Sequence, residues 1–503
     1  MNPLEKLKHE LKTVLNLRGA SALLQWDQET YMPDGSGAIR SEQIALLDTL
    51  SHEHLVGPAV KAPLAELVNL DNGEVTAGLS EDENRLVNEI WRDYHRAAAL
   101  PKEFVEEYSQ ITSMAQQVWA QARKENDFAK FAPHLEKIIE LKFREIDYLG
   151  VKTTPYDTLL DFFEPGMTSA DVTRLFDAVK ERLVPLVRRI ADSGVNTGVE
   201  LLRKDYDVDR QWEFGVQVLN DMGYDLNLGR QDKSAHPFTT SFHPTDVRIT
   251  TRLNPNNLLS ALSSTIHECG HALYEQGMDK DWFGTPFCDA ISYGIHESQS
   301  RLWENLVGLS RPFWEHYYPK LQKFFPENLG NVELDAFYRA INTVEPSLIR
   351  VDADEATYNL HIMLRFEVEK QVINDKLPVK ELPELWNNKM EEYLGIRPDS
   401  DANGVMQDVH WSFGGFGYFP TYALGNLYNV PMMNQAREEL KGLDDQIARG
   451  KFADLREWLR TKVHLVGRRR TAAELIEDIT GEKLTAEPFM DYLENKYQAI
   501  YQL

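Results

Sequence analysis

The sequence predicts a mainly α-helical protein with a small antiparallel β-sheet beside one functional helix. Apolar residues recur at three- and four-residue steps, as in Leu4, Leu7, Leu11 and Val14 and again in Leu86, Ile90 and Tyr94, which is the helical period. One stretch departs from it. In "PFTTSFHPTDVRITTRL", residues 237–253, Val247, Ile249 and Thr251 alternate with Asp246, Arg248 and Thr250, giving a strand one mainly apolar and one polar face. Turn-rich breaks fall at 71–78, 194–198 and Gly450, and none has the length or low complexity of an interdomain linker.

The 503 residues allow a large core, and 79 acidic against 54 basic residues leave a formal charge of -25. Such a surface repels phosphate backbones and anionic lipid, so neither nucleic acid nor membrane is expected as a partner. The start, "MNPLEKLKHELKTVL", lacks an apolar signal core, and no later stretch has the length to span a bilayer. Cys269 and Cys288 are too few for a disulfide framework or a cysteine-rich zinc cluster. A soluble cytoplasmic protein with free thiols is expected.

After the strand, "NPNN" offers Asn254 as a helix cap with Pro255 at the first position, and Gly277 can end that helix. Within it, "TIHECGHALYEQG" sets His267 and His271 one turn apart on a shared face with Ser260, Ser263 and Tyr274, beside an apolar side of Leu259, Leu262, Ile266 and Leu273. The two imidazoles can converge on one ion. Glu268 projects about a quarter-turn away, placed to reach a water at that ion but not to enter its inner sphere, which suits a general base. A structural zinc site fills four positions, usually with thiolates, whereas a catalytic one keeps a position open. A third ligand is available in Glu297, on a second amphipathic helix with Ile291, Ile295, Leu302 and Leu306 on its apolar face. His296 competes for that role, although neighbouring residues diverge by about 100 degrees on a helix.

With "HPF" at 236–238, "DVRIT" at 246–250, "HECGH" at 267–271, "HESQ" at 296–299, "IRVDAD" at 349–354 and "GVMQDVHW" at 404–411, the chain resembles the thermostable carboxypeptidase Taq family of metallocarboxypeptidases. "LLQWDQETYMPDGSGAIRSEQIALL" near the start extends the resemblance over nearly the whole chain. The resemblance implies a neurolysin-like zincin fold with a deep substrate groove, commonly dimeric, that removes C-terminal amino acids from peptides with broad preference and poor action on C-terminal proline. It implies His267, His271 and Glu297 as ligands of Zn²⁺, with Co²⁺ as a substitute, and Glu268 as catalytic acid/base. One peptidase domain, 1–503, is expected, with about 1–230 forming one side of the groove, about 231–430 carrying sheet, metal site and motifs, and about 431–503 the C-terminal helices.

Peptide hydrolysis by this route needs a water acidified at the metal and a donor for the oxyanion. "HWSFGGFGYFPTYALG" supplies candidates: Tyr422 first, because the segment resembles the tyrosine-bearing glycine loop of neurolysin-like enzymes, and His410 second, with Tyr418 nearby. An ordinary packed turn is the alternative. To receive a substrate's terminal carboxylate, Arg350 offers a planar fork, with Asp352 and Asp354 as structural ion-pair alternatives, and Gln407 a neutral donor. Asp246, Arg248 and Thr250 either border the cleft, where an extended peptide can pair along the sheet edge, or form a structural network. The rival functions are a zinc oligoendopeptidase and a non-catalytic peptide- or metal-binding protein on the same scaffold.

Overall fold

The computed structural model describes residues 1–503, and several helix starts follow from capping side chains. Asn2 accepts the Glu5 N–H and Pro3 follows it, opening α1 (Pro3–Thr30). The helices α2 (Gly37–Val56) and α3 (Pro58–Ala65) pack on α1, and α4 (Glu81–Ala99) opens with a capping box of Ser80 and Glu83. Leu4, Leu7, Leu11, Val14, Leu86 and Ile90 are all buried in one small apolar cluster formed largely by these helices. Five more helices precede the sheet: α5 (Lys102–Glu125), α6 (Phe128–Leu149), α7 (Pro155–Leu160), α8 (Ser169–Asp192) and α9 (Val208–Met222). Their apolar faces join the main core, which continues to the C-terminal helix.

The sheet comprises β1 (Gly229–Lys233), β2 (Thr239–His243) and β3 (Asp246–Thr251) in the order β1-β3-β2. β2 and β3 pair antiparallel through a short turn, but β1 runs parallel to β3, so the sheet is mixed rather than antiparallel throughout. Alternation of side chains identifies faces and says nothing of strand direction. Residues 234–245, β2 included, are long enough to serve as the crossover that a parallel pair requires. Val247 and Ile249 are fully buried, as the alternation implies, and β2 is left as an edge strand.

The helix that follows, α10 (Leu258–Gly277), starts three residues later than Asn254 and Pro255 suggest. Its cap is Asn257, which accepts the Ser260 N–H. The carbonyls of Asn254 and Pro255 accept instead from the Gln211 side chain and the Tyr206 N–H, so the "NPNN" segment is held by α9 and the chain before it. Gly277 does end the helix. The chain then reaches α11 (Tyr293–Arg301), capped by Ser292, and runs on into a π-helical segment, Leu302–Gly308. Ile291, Ile295, Leu302 and Leu306 are buried as expected.

The remaining helices are α12 (Arg311–Phe324), α13 (Pro326–Leu329), α14 (Leu334–Ile341), α15 (Thr357–Asn374), α16 (Leu382–Leu394), α17 (Pro420–Glu439), α18 (Leu443–Ile447), α19 (Ala453–Leu459), α20 (Ala472–Thr480) and α21 (Glu487–Tyr501). Two glycines bring three of these helices together. A Cβ on Gly270 of α10 would stand 2.6 Å from the Ser300 Cα of α11, and one on Gly425 of α17 would stand 2.8 Å from the Glu297 Cγ. Only glycine permits backbones to approach this closely. As a result α11 is wedged between α10 and α17, with Glu297 facing α10. No helix is long and apolar enough to cross a membrane.

Candidate metal centre

His267 and His271 on α10 and Glu297 on α11 form a cluster whose donor atoms all lie within 4.8 Å of one another. The Glu297 Oε2 is 3.7 Å from the His267 Nε2 and 3.4 Å from the His271 Nε2. Two imidazole nitrogens and one carboxylate oxygen are a donor set suited to a divalent ion of the zinc type. The surroundings fit that ion too. His267 Nδ1 lies 2.8 Å from Glu304 Oε2, a carboxylate that orients the ring so that Nε2 points inward. Arg301 donates to Glu297 Oε1 at 2.7 Å and to Glu304 Oε2 at 3.1 Å, locking both carboxylates.

Neither Glu304 nor Arg301 is among the site residues expected from sequence. Glu304 lies seven positions after Glu297, which an α-helix would place on nearly the same face; the π-helical segment carries it toward His267 instead. Arg301, at i+4 from Glu297, was the one detectable signal.

The electrostatics follow from these partners. Burial opposes the charge on His267, yet Glu297 and Glu304 hold its pKa up to about 9. Burial, reinforced by His296, pushes His271 down to about 3, so that ring is neutral. Burial works against ionising Glu297, but Arg301 and His267 hold it well below the usual carboxylate range. Glu268, next to the cluster and buried, has its pKa raised by desolvation, with His267 pulling in the opposite direction. Its Oε2 accepts a 2.6 Å hydrogen bond from the Thr239 hydroxyl of β2, a partner that sequence reasoning did not single out.

His296 is not brought into the donor cluster. Its ring stacks on His271 with centroids 4.4 Å apart, and its Nε2 lies 2.8 Å from Glu275 Oε1, so it supports the His271 ring from behind. Tyr274, on the histidine face of α10, is buried and accepts the Ile291 N–H, tying down the approach to α11. Cys269 and Cys288 are buried free thiols.

Metal cluster, Glu268 and Thr239 open onto a cleft of about 670 Å³ whose walls also include Arg96, Phe163, Tyr418 and Tyr422. Burial keeps Tyr422 protonated far above neutrality, and its hydroxyl is 3.4 Å from His410 Nε2. His410, behind it, is pushed down to about 3 by burial and is neutral.

Arg350 does not line this cleft. Its fork donates to Asp408 at 2.8 and 3.0 Å and to the Tyr358 hydroxyl at 3.0 Å; Asp352 and Asp354, the acids expected beside it, are not its partners. The guanidinium lies 5.2 Å from the Tyr422 ring, and Arg365 binds the same Asp408 from the other side. Gln407 has no donor left for substrate: its amide nitrogen is bonded to the Leu348 and Asn403 carbonyls, while its oxygen accepts from Arg350 N and Arg365 Nη2. On β3, Arg248 pairs with Asp246 at 2.8 and 3.0 Å and packs over Trp26 of α1, which makes the polar face of that strand a structural network.

The model of the family described as carboxypeptidase Taq (M32) metallopeptidase matches residues 6–497. The chain is 40% identical to carboxypeptidase 1 of Bacillus subtilis, covering 98% of this chain and 97% of the relative. It is 41% identical to thermostable carboxypeptidase 1 of Thermus thermophilus, over 96% of each. Among solved structures, the M32 carboxypeptidase from Deinococcus radiodurans superposes over 100% of both chains with a TM-score of 0.95 at 40% identity. The chain belongs to the carboxypeptidase Taq (M32) metallopeptidase family, and it is a metallocarboxypeptidase.

A ligand histidine must be neutral to bind a metal. Because the metal-free site holds His267 near pKa 9, protons compete for it below that pH. The apparent affinity for a divalent metal ion held by His267 is therefore expected to rise with pH up to about 9, with proton release on binding. Calorimetric titration of the metal-free protein in buffers of different ionisation enthalpy reads both quantities; an affinity flat between pH 7 and 9 contradicts the assigned environment.

Proposed function

We propose that the metal is zinc, held by His267, His271 and Glu297, and that Glu268 is the general base and acid of peptide hydrolysis. The observation that carries this reading is the convergence of two imidazoles and a buried carboxylate beside a second carboxylate, Glu268, in one cleft. When bound there, the ion supplies Lewis acidity to the scissile carbonyl and lowers the pKa of water to about 7. Glu268 takes the proton of the attacking water and delivers it to the departing amine. The Thr239 hydroxyl steadies the carboxylate in the orientation that both transfers need. Tyr422, protonated and walling the cleft, donates to the oxyanion, and the neutral His410 behind it directs its hydroxyl. Co²⁺ shares the ligand preferences involved and substitutes for zinc.

Recognition of a free C-terminus draws on Arg350, Arg365 and Asp408. Two guanidiniums against one carboxylate leave a buried surplus of positive charge behind Tyr422 and His410, and its field draws a substrate carboxylate in the cleft without direct contact. Gln407 serves this group by holding both arginines, not by touching substrate. The substrates are peptides with a free C-terminus, taken with broad side-chain preference.

The protein acts as a homodimer. Ile39, Leu46 and Leu50 form an exposed apolar stripe along α2, with Leu23 exposed on α1. The cytoplasm is its compartment, consistent with two buried cysteines left unpaired in the whole chain.

Glu268→Gln is expected to retain zinc and to lose about 10²- to 10⁴-fold in kcat. Mass spectrometry of digests of free and amidated peptides checks both the variant and the reaction: stepwise loss of single residues from free C-termini is expected, and internal cleavage of amidated peptides would instead indicate an endopeptidase. Arg350→Ala is expected to raise KM for free C-termini by about tenfold or more while zinc content stays unchanged. Unaltered peptide kinetics place recognition elsewhere. Leu46→Glu is expected to shift sedimentation from dimer to monomer, and a wild-type profile removes α2 from the contact.

A further inference from the structure

We propose that two carboxylates outside the metal site, Glu164 and Glu369, are positioning residues with separate duties: Glu164 sets the start of α11 and hence the reach of Glu297, while Glu369 sets the loop that delivers Tyr422. This rests on the reading of Glu297 as ligand and Tyr422 as donor.

Both side chains are completely buried, and neither forms a salt bridge. A buried acid without a counter-ion is costly, and a packed apolar residue of the same size would serve stability better. What each acid gains is a set of hydrogen bonds to fixed points of the active-site walls. Burial drives both carboxyls up to about 7, a measure of how little the surroundings compensate their charge.

Glu164 lies in the segment "DFFEPG" between α7 and α8. It accepts the Gly294 N–H at 3.0 Å and the Tyr428 hydroxyl at 2.9 Å, so it joins the first turn of α11 to α17. The carboxylate sits where the exposed N–H groups and dipole of a helix start favour negative charge. A Cβ at 294 would stand 2.5 Å from Glu164 Oε2 and 2.9 Å from the Tyr428 ring, so any side chain there would displace this joint. The preceding residue reinforces the joint: the Phe163 carbonyl accepts the Tyr293 N–H at 3.0 Å, and its ring meets Tyr293 and Tyr418 edge-on. Glu297 follows Gly294 by less than one helical turn, so any slip of this end moves the ligand.

Glu369, on α15, accepts from the Trp411 Nε1 at 2.8 Å, the Gly417 N–H at 2.9 Å and the Tyr156 hydroxyl at 2.9 Å. Trp411 follows His410 directly, and Gly417 lies in the loop three residues before α17, which carries Tyr422. Gly417 has a φ of +90°, and a Cβ on it would stand 2.8 Å from the Leu159 backbone. The loop is thus clamped against α7 and α15 shortly before the start of α17, the helix that carries Tyr422.

The two duties separate in two measurements on the full-length enzyme: Zn²⁺ affinity by competition with a chromophoric chelator together with the Co²⁺ absorption spectrum, and steady-state kinetics at saturating Zn²⁺. Glu164→Gln is expected to weaken Zn²⁺ binding about 10- to 100-fold and to change the Co²⁺ spectrum. Glu369→Gln is expected to leave both unchanged and to lower kcat about 10- to 100-fold with little effect on KM. Tyr428→Phe and Tyr156→Phe each remove one donor and are expected to give smaller changes in the same separate directions, which keeps the test open if a glutamine variant does not fold. Wild-type metal affinity in both Glu164→Gln and Tyr428→Phe, or equal loss of both readouts in every variant, overturns the proposal. His267→Ala is the control: were it to bind Zn²⁺ as tightly as wild type, the metal-site reading itself, and not the positioning roles, would be at fault.

Discussion

The constraint on which the site depends is the burial of one carboxylate. Glu297 is only 6% exposed, and an ionised acid taken out of water must find compensation within a few ångströms. It finds Arg301 on its own helix and two imidazoles across the gap. That arrangement exists because α10 and α17 both present glycine to α11, at Gly270 and Gly425. Side chains there would hold the helices apart, and the carboxylate would be stranded in an apolar interior without its partners.

The same logic orders the next layer. Arg301 is shared with Glu304, Glu304 holds His267, and His296 backs His271 while leaning on Glu275. Charge is balanced locally along this chain, which keeps the two imidazoles and the Glu297 carboxylate in fixed orientations. At the tyrosine end the balance differs. Arg350 and Arg365 share a single acid, so a protein of net charge -25 carries a pocket of uncompensated positive charge beside the cleft. An acidic exterior and a locally basic interior are compatible because the second is buried, where screening by solvent is weak.

Much of this was legible in the residues. The helical period of the first ninety residues marks the side chains that form their core, and the change to a period of two marks β3. His267, Glu268 and His271 are legible as a unit because their geometry is that of a single helix. Glu297 is legible as a candidate because it sits on a second amphipathic helix at workable distance. Errors arose where a neighbour outside the local sequence decided the outcome. α9 and the chain before it claim the carbonyls of Asn254 and Pro255 and delay the start of α10; β1 joins the sheet parallel through a crossover; and Asp408, not Asp352 or Asp354, takes Arg350.

What the sequence determined by itself is what short-range periodicity carries: a mainly helical chain, which face of α10 bears the imidazoles, and that an acid stands next to them without joining them. These are properties of backbone geometry repeated every few residues. Only the tertiary structure decided which distant side chains meet. Glu304 reaches His267 through a π-helical segment, Thr239 reaches Glu268 from an edge strand, and Glu164 and Glu369 reach backbone N–H groups 130 and 48 positions away. Such pairings depend on how helices and loops stack in space, and no local pattern encodes them.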